Sequence, residues 1–278
     1  MTSADTRSRL GSGSGLSLGV VVMWMSLLVL LPLAAVVSKA FSGGVGSFVD
    51  AVTNREALSA LRLTLSLGLG VAIVNAVMGT LIAWVLVRER FRGAAIFELV
   101  IDLPFALPTI VAGLVMLGLY GPNSPVGVTL TGGDVTRTRI VLFIALLFVT
   151  LPFTVRSVQP VLLDLDRDAE QAAASLGASP WTIFRRIVLP PILPALLSGA
   201  TLSFARAIGE YGSLVLITSN IPFKTQLAQT LIYGKLQDAD NPVAATRVAA
   251  GVATVLLAAS ALVLIILSVL QRRAARRG

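Results

Sequence analysis

Six apolar runs of roughly membrane-spanning length, parted by short polar or basic intervals, leave this 278-residue chain few folds to choose from. A hydrocarbon core about 30 Å thick needs about 20 residues of helix to cross it. In lipid a helix satisfies its own backbone polar groups, which an irregular segment cannot do. The runs fall at about 16–37, 58–87, 97–120, 140–160, 192–217 and 248–270. Charged residues make up 13% of the chain, against about 25% in soluble domains, too few to cover a water-facing surface of this size. The expectation is an all-α membrane protein with six transmembrane helices. A secretory signal is the other reading of the first run. It is long for a signal core, and Pro32-Leu33-Ala34-Ala35 is a poor cleavage site, so a retained anchor is expected.

Charge sets the topology. The net charge of +8 could suggest nucleic acid, but the arginines flank apolar runs in short clusters, so no nucleic-acid partner is expected. With both termini in the cytoplasm, the cytoplasmic side collects two Lys/Arg in the first fifteen residues and three at 88–92. Four more fall across 156–186 and four in the basic tail 271–278, thirteen in all. Eight fall outside, and Arg206 lies within a span. Residues 1–15, with their GSGSG, read as a flexible cytoplasmic tail. Within 58–87, Gly68, Gly70, Ala72, Ala76, Gly79 and Ala83 recur at helical steps and suit close helix packing in lipid.

What is missing also narrows the function. The chain has no His and no Cys, which removes His-based catalytic dyads, His-ligated metals and thiolate zinc sites. No G-x-x-x-x-G-K-[ST] phosphate loop occurs. Asp164, Asp166, Asp168 and Glu170 alternate at a helix start, where acidic side chains favour the dipole by about 0.3–1 kcal/mol. They form no return turn around a metal ion.

That acidic run opens the most polar interval of the chain, 164–191. Asp168 and Gln171 have the spacing of a capping box. Gly177 suits the left-handed position that closes a helix, and Ser179-Pro180 opens a second one. Pro190 and Pro191 are expected to end it. Trp181 and Phe184, three residues apart, share a face that could anchor in a partner's groove or lie at the membrane interface.

The same interval carries a resemblance. Gln171-Ala172-Ala173, three residues, Gly177, nine residues, then Ile187-x-Leu189-Pro190 is similar to the cytoplasmic EAA motif of bacterial ABC importer permeases. The departure is Gln171 where that family has Glu, with Glu170 just before it. The resemblance implies the type I ABC importer fold, with this interval as a coupling-helix loop between the spans of a 16–270 permease domain. Glu170, Gln171, Ala172, Ala173, Gly177, Trp181, Phe184, Ile187, Leu189 and Pro190 would then couple to an ATPase subunit. It also implies two ATPase subunits carrying the ATP and Mg, none bound by this chain itself. A related second permease subunit and an extracytoplasmic binding protein complete the implied assembly in the bacterial cytoplasmic membrane.

A second stretch, Phe204-Ala205-Arg206-Ala207-Ile208-Gly209-Glu210-Tyr211-Gly212-Ser213, resembles sulfate and molybdate permeases of that family. Asp102-Leu103-Pro104-Phe105-Ala106-Leu107-Pro108-Thr109 is closer to the sulfate/thiosulfate T-type subunit, and the likeness continues through 220–222, 224–226 and 240–242. An unpaired ion at mid-membrane costs about 2.5–3.5 kcal/mol, so Arg206 and Glu210, four apart, are expected to pair. Two readings stay open. Arg206, Glu210, Tyr211 and Ser213 line or gate an anion path, or the pair is self-neutralising and fixes helix packing. A molybdate or other oxyanion permease is the alternative within the family. An ion-driven secondary transporter using Arg206 and Glu210 as a relay is the alternative outside it. A membrane-embedded Ser-Lys enzyme is disfavoured, because Lys39, Lys224 and Lys235 all fall in loops. The chain is read as a transport subunit and not as an enzyme.

Overall fold

The computed structural model describes residues 12–89, 91–121, 124 and 138–275, and no strand occurs among them. The tail through residue 11, most of the 121–138 loop and the last three residues of the basic tail lie outside this range. The first apolar run begins earlier than its composition suggests, with α1 at Ser12–Met25. A π-helical turn, Ser26–Leu30, joins it to α2, Leu31–Ala40. The polar interval 39–56 holds a short amphipathic helix, α3 (Gly44–Thr53). Asn54 caps the next helix by accepting from the Ala57 amide at 2.7 Å.

That helix, α4 (Arg55–Arg88), runs 34 residues, roughly 50 Å at 1.5 Å per residue. It packs beside α7 (Arg139–Asp164) and α10 (Leu189–Gly209), and these three form the centre of the molecule. Small residues let them close. A Cβ on Gly79 would sit 2.8 Å from the Thr154 side chain, and one on Gly199 would sit 2.7 Å from Thr154 Cα. Polar groups fasten the same seam. Asn75 Nδ2 donates to Thr150 Oγ1 at 2.7 Å, and Ser203 Oγ donates to the Thr150 carbonyl at 3.0 Å. In a lipid setting such interhelical bonds supplement packing that apolar burial alone would not direct.

The third run is not one straight span. It divides into α5 (Ala94–Ala106) and α6 (Thr109–Tyr120), bent by 117° at Leu107-Pro108. Pro108 cannot donate a helical N–H and pushes Leu107 into the extended region, at ψ 131°. The fifth run, read as continuous from 192 to 217, also breaks. α10 ends at Gly209, Glu210 is extended at ψ 123°, and α11 (Gly212–Ile217) resumes as a short helix. The loop after it holds α12 (Ala228–Leu236) before the last span, α13 (Pro242–Ala275). Among the described residues five helices meet the length and hydropathy of a membrane crossing, six if the bent α5–α6 pair is counted as one span. The first span stands apart from the centre and packs along α13.

Candidate coupling segment and helix-break site

Residues 165–188 fold as a compact helical turn-back at one end of the bundle. α8 (Arg167–Ser175) starts one residue before the predicted capping box. Its N-cap is Asp166, which accepts from the Asp168 amide at 2.9 Å, so Asp168 and Gln171 do not form the box. The extended Leu165-Asp166 linker moves the helix start forward. Gly177 takes the left-handed conformation at φ +83°, and the Ala178 amide reaches back to the Ala173 carbonyl at 3.0 Å. Ser179 caps α9 (Pro180–Ile183), accepting from the Thr182 amide at 3.3 Å.

The two prolines do not end this helix. α9 passes through a π turn, Phe184–Val188, directly into α10, giving one helical rod from Pro180 to Gly209. Pro190 and Pro191 follow the π turn inside this rod, where each withholds a donor from the helical ladder. The wider turn accommodates their missing donors, with the Leu189 amide bonding five residues back to the Phe184 carbonyl.

The segment is fixed to the end of α4. Arg88 pairs with Glu170 at 2.5 Å, their side chains 8% and 16% exposed, and its guanidinium lies 5.6 Å from the centre of the Trp84 ring. Arg167 donates to the Val87 carbonyl at 2.9 Å, covering an acceptor left open in the last turn of α4. Phe184 is half-buried, edge-on to Trp84 and stacked on Trp181, with both ring centroids 5.8 Å away. Ile187 and Leu189 are half-buried, whereas Gln171, Ala172 and Pro190 are exposed and Ala173 is partly covered. Leu176, at 89%, and Trp181, at 67%, project from the turn-back.

The second site lies where the broken spans meet. Arg206 Nη1 is 2.6 Å from Glu210 Oε2, so the predicted pair forms, although Glu210 belongs to the break and not to the helix. Glu210 is 1% exposed, and its other oxygen accepts from the Ser213 amide at 2.8 Å and from Ser213 Oγ at 3.0 Å. The carboxylate therefore caps α11 while neutralising the end of α10. The Ile208 carbonyl, freed by the break, accepts from Gln229 of α12. Tyr211 lies against Tyr233 of α12, ring centroids 5.2 Å apart and planes tilted by 41°. Across the gap, a Cβ on Gly113 of α6 would meet the Ser213 carbonyl at 2.6 Å, and one on Gly212 would run into Thr109. Two helix breaks are packed backbone to backbone.

Sequence reasoning missed a network nearer the turn-back. Arg156 of α7 grips Asp102 of α5 through two bonds, at 2.8 and 2.5 Å. It also donates to Gln159 at 2.7 Å, and Gln159 donates to Glu98 at 3.2 Å. Arg156, assigned with the cytoplasmic loop in the charge tally, lies eight residues inside α7. Its place in an apolar run, with Gln159 three residues on, was the available signal.

This arrangement of bent and broken spans with a turn-back at one end is shared with solved membrane proteins. The match covers 93% of this chain and 94% of a bacterial ABC transporter chain involved in the import of alginate, with TM-score 0.74 and 17% identity. A chain of the MetNI methionine ABC transporter in an inward-facing conformation matches 79% of this chain and 96% of its own length, with TM-score 0.58 and 18% identity. The fold is thus that of ABC importer membrane subunits. Residues 75–277 match the family described as binding-protein-dependent transport system inner membrane component, and the chain belongs to that family. The sulfate transport system permease protein CysT of Synechocystis is 43% identical over 255 residues, 91% of this chain and 87% of that protein. The CysT of Escherichia coli is 40% identical over 276 residues, 99% of this chain and 98% of that protein. The chain is therefore a multi-pass permease component of the inner membrane. Among the described residues no group of three or more acidic side chains is placed to hold a metal ion.

Proposed function

We propose that this chain is one of two pore-forming subunits of an ATP-driven importer of sulfate or thiosulfate, with both termini in the cytoplasm. Its relatives over nearly the whole length are sulfate permeases, which supports the substrate class. The basic clusters at 88–92 and 272–277 support the orientation. A related permease chain completes the pore, and an extracytoplasmic binding protein delivers the anion. ATP and Mg belong to two separate ATPase subunits, and this chain binds no cofactor of its own.

The observation that carries the reading is the turn-back. Leu176 and Trp181 project into solvent while Glu170 and Phe184 hold the segment to α4 and α10. An apolar pair held out on a braced support suits a groove on a partner subunit. Of the residues assigned to coupling, Gln171, Ala172, Trp181 and Pro190 remain free to touch the ATPase, whereas Glu170, Gly177 and Phe184 shape the support. At the break, Arg206, Glu210 and Ser213 form the closed element that opens as the ATPases approach each other.

The test uses the complete transporter in proteoliposomes. Leu176→Ala with Trp181→Ala removes exposed side chains, so insertion and assembly are expected to persist while ATP-dependent sulfate uptake falls at least about tenfold, roughly 1.4 kcal/mol of lost docking. Normal uptake by that variant refutes the docking assignment. Thiosulfate should compete with labelled sulfate more strongly than phosphate. Uptake that survives ATP removal and stops with the proton gradient would replace the whole reading by secondary transport.

A further inference from the structure

At the end of the bundle away from the turn-back lies a basic recess of about 470 Å³. α4 and α7 both run from it toward the turn-back, beginning at Arg55 and Arg139 and ending at Arg88 and Asp164. Arg55 and Arg62 line it two turns apart on α4, with Ser59 and Ser66 on the same face, and Arg139 faces them from α7. Arg139 donates to the Phe223 and Lys224 carbonyls at 3.0 and 2.7 Å, which holds the 220s loop over the recess. Among the described residues none of the three guanidiniums pairs with a carboxylate. Glu56, the neighbouring acid, is taken by Lys235 at 3.3 Å.

We infer that this recess is a receiving site for a tetrahedral dianion on its way from the binding protein to the pore. The inference rests on the sulfate reading above, which also places this end outside the cytoplasm. Three positive charges attract a dianion strongly, and the Ser59 hydroxyl adds a donor that a phosphate-like or sulfate-like oxygen can use, whereas Ser66 already donates to the Leu63 carbonyl at 3.0 Å. The recess is open and, at about 470 Å³, wider than one bare anion, so the anion enters with part of its hydration shell. That favours transit over tight retention. Arg62, seven residues along α4 from Arg55, lies about 10 Å deeper, so the charges form an inward step and not a rim alone. A charge at that depth facing lipid would be costly, and an aqueous recess relieves it.

The experiment measures equilibrium binding of radiolabelled sulfate to the purified full transporter without its binding protein, beside uptake with the binding protein present. The unaltered transporter is expected to bind saturably. Arg62→Gln should weaken binding about tenfold, Arg62→Lys should restore most of it, and raised salt should shrink the difference. Equal binding by Arg62→Gln, or no saturable binding by a transporter that still takes up sulfate, overturns the site and leaves the sulfate reading standing. Loss of the second permease chain from the purified Arg62→Gln complex makes Arg62 an assembly residue and also overturns it. No sulfate uptake by the unaltered transporter overturns the sulfate reading and the ligand assigned here with it.

Discussion

Neutralising Glu210 tests whether the break in the fifth span is held by charge or by packing. The side chain is buried and makes three contacts, an ion pair with Arg206 and two bonds from Ser213. Glu210→Ala removes all three, leaving a buried amide and hydroxyl unanswered and Arg206 without its partner. Breaking a buried pair from one side costs about 3–5 kcal/mol. Arg206 is about one-third exposed, which moves the expectation to the lower end, near 3 kcal/mol. Glu210→Gln keeps an acceptor for Ser213 and loses the charge, which should cost about 1–2 kcal/mol. The double variant Arg206→Gln with Glu210→Gln removes both charges together and should be little worse than Glu210→Gln alone. Unfolding of the detergent-purified protein, titrated with SDS in mixed micelles, gives the stabilities, and the double-mutant comparison gives the coupling. Strictly additive costs, or a Glu210→Ala protein as stable as the original, would refute the account of the break. Uptake then separates the two readings of the pair. A stable double variant that no longer transports assigns Arg206 and Glu210 to the path, and one that transports normally assigns them to packing.

Two further outcomes are expected. Arg88→Ala should release α8 from the end of α4, since it removes both the Glu170 pair and the cation over Trp84. Limited proteolysis between 165 and 180 should then quicken severalfold, while cleavage at α13 is unchanged. Gly199→Ala should destabilise the bundle by about 1–3 kcal/mol, measured by the same SDS titration, because its methyl meets backbone at Thr154 and Phe153 that no rotamer change can move.

The spans were legible because apolar run length translates directly into crossings, and the Gly and Ala positions of α4 do face its neighbours. The bend in the third run was partly so, because Pro104 and Pro108, four apart, mark a kink or a delayed helix start. The break at Glu210-Tyr211 was not, since it sits inside a run whose hydropathy carries on past it and composition does not record direction. Pro190 and Pro191 misled because a proline pair looks the same at the end of a helix as just past a π turn inside one. Helices α3 and α12 hid in loop-like composition, being too short for periodicity to show. Local signals in the turn-back did better. Gly177 and Ser179-Pro180 act on their own backbones, so a few residues suffice to read them. Pairs such as Arg88 with Glu170 and Arg156 with Asp102 join helices 82 and 54 residues apart, and nothing in either neighbourhood names the other.

The helical rod from Pro180 to Gly209, continuous through its π turn and Pro194, has a mechanical consequence. Thirty residues at 1.5 Å each make an arm about 45 Å long, with Trp181 near one tip and the Arg206–Glu210 break at the other. Tilting such an arm by about 5° about one end carries the other through about 4 Å. That displacement exceeds the tolerance of the backbone contact between Gly113 and Ser213, which has no room for even a methyl group. A small rotation at the exposed end therefore arrives at the break as a separation of whole helices, and the side chains between need not relay it one by one.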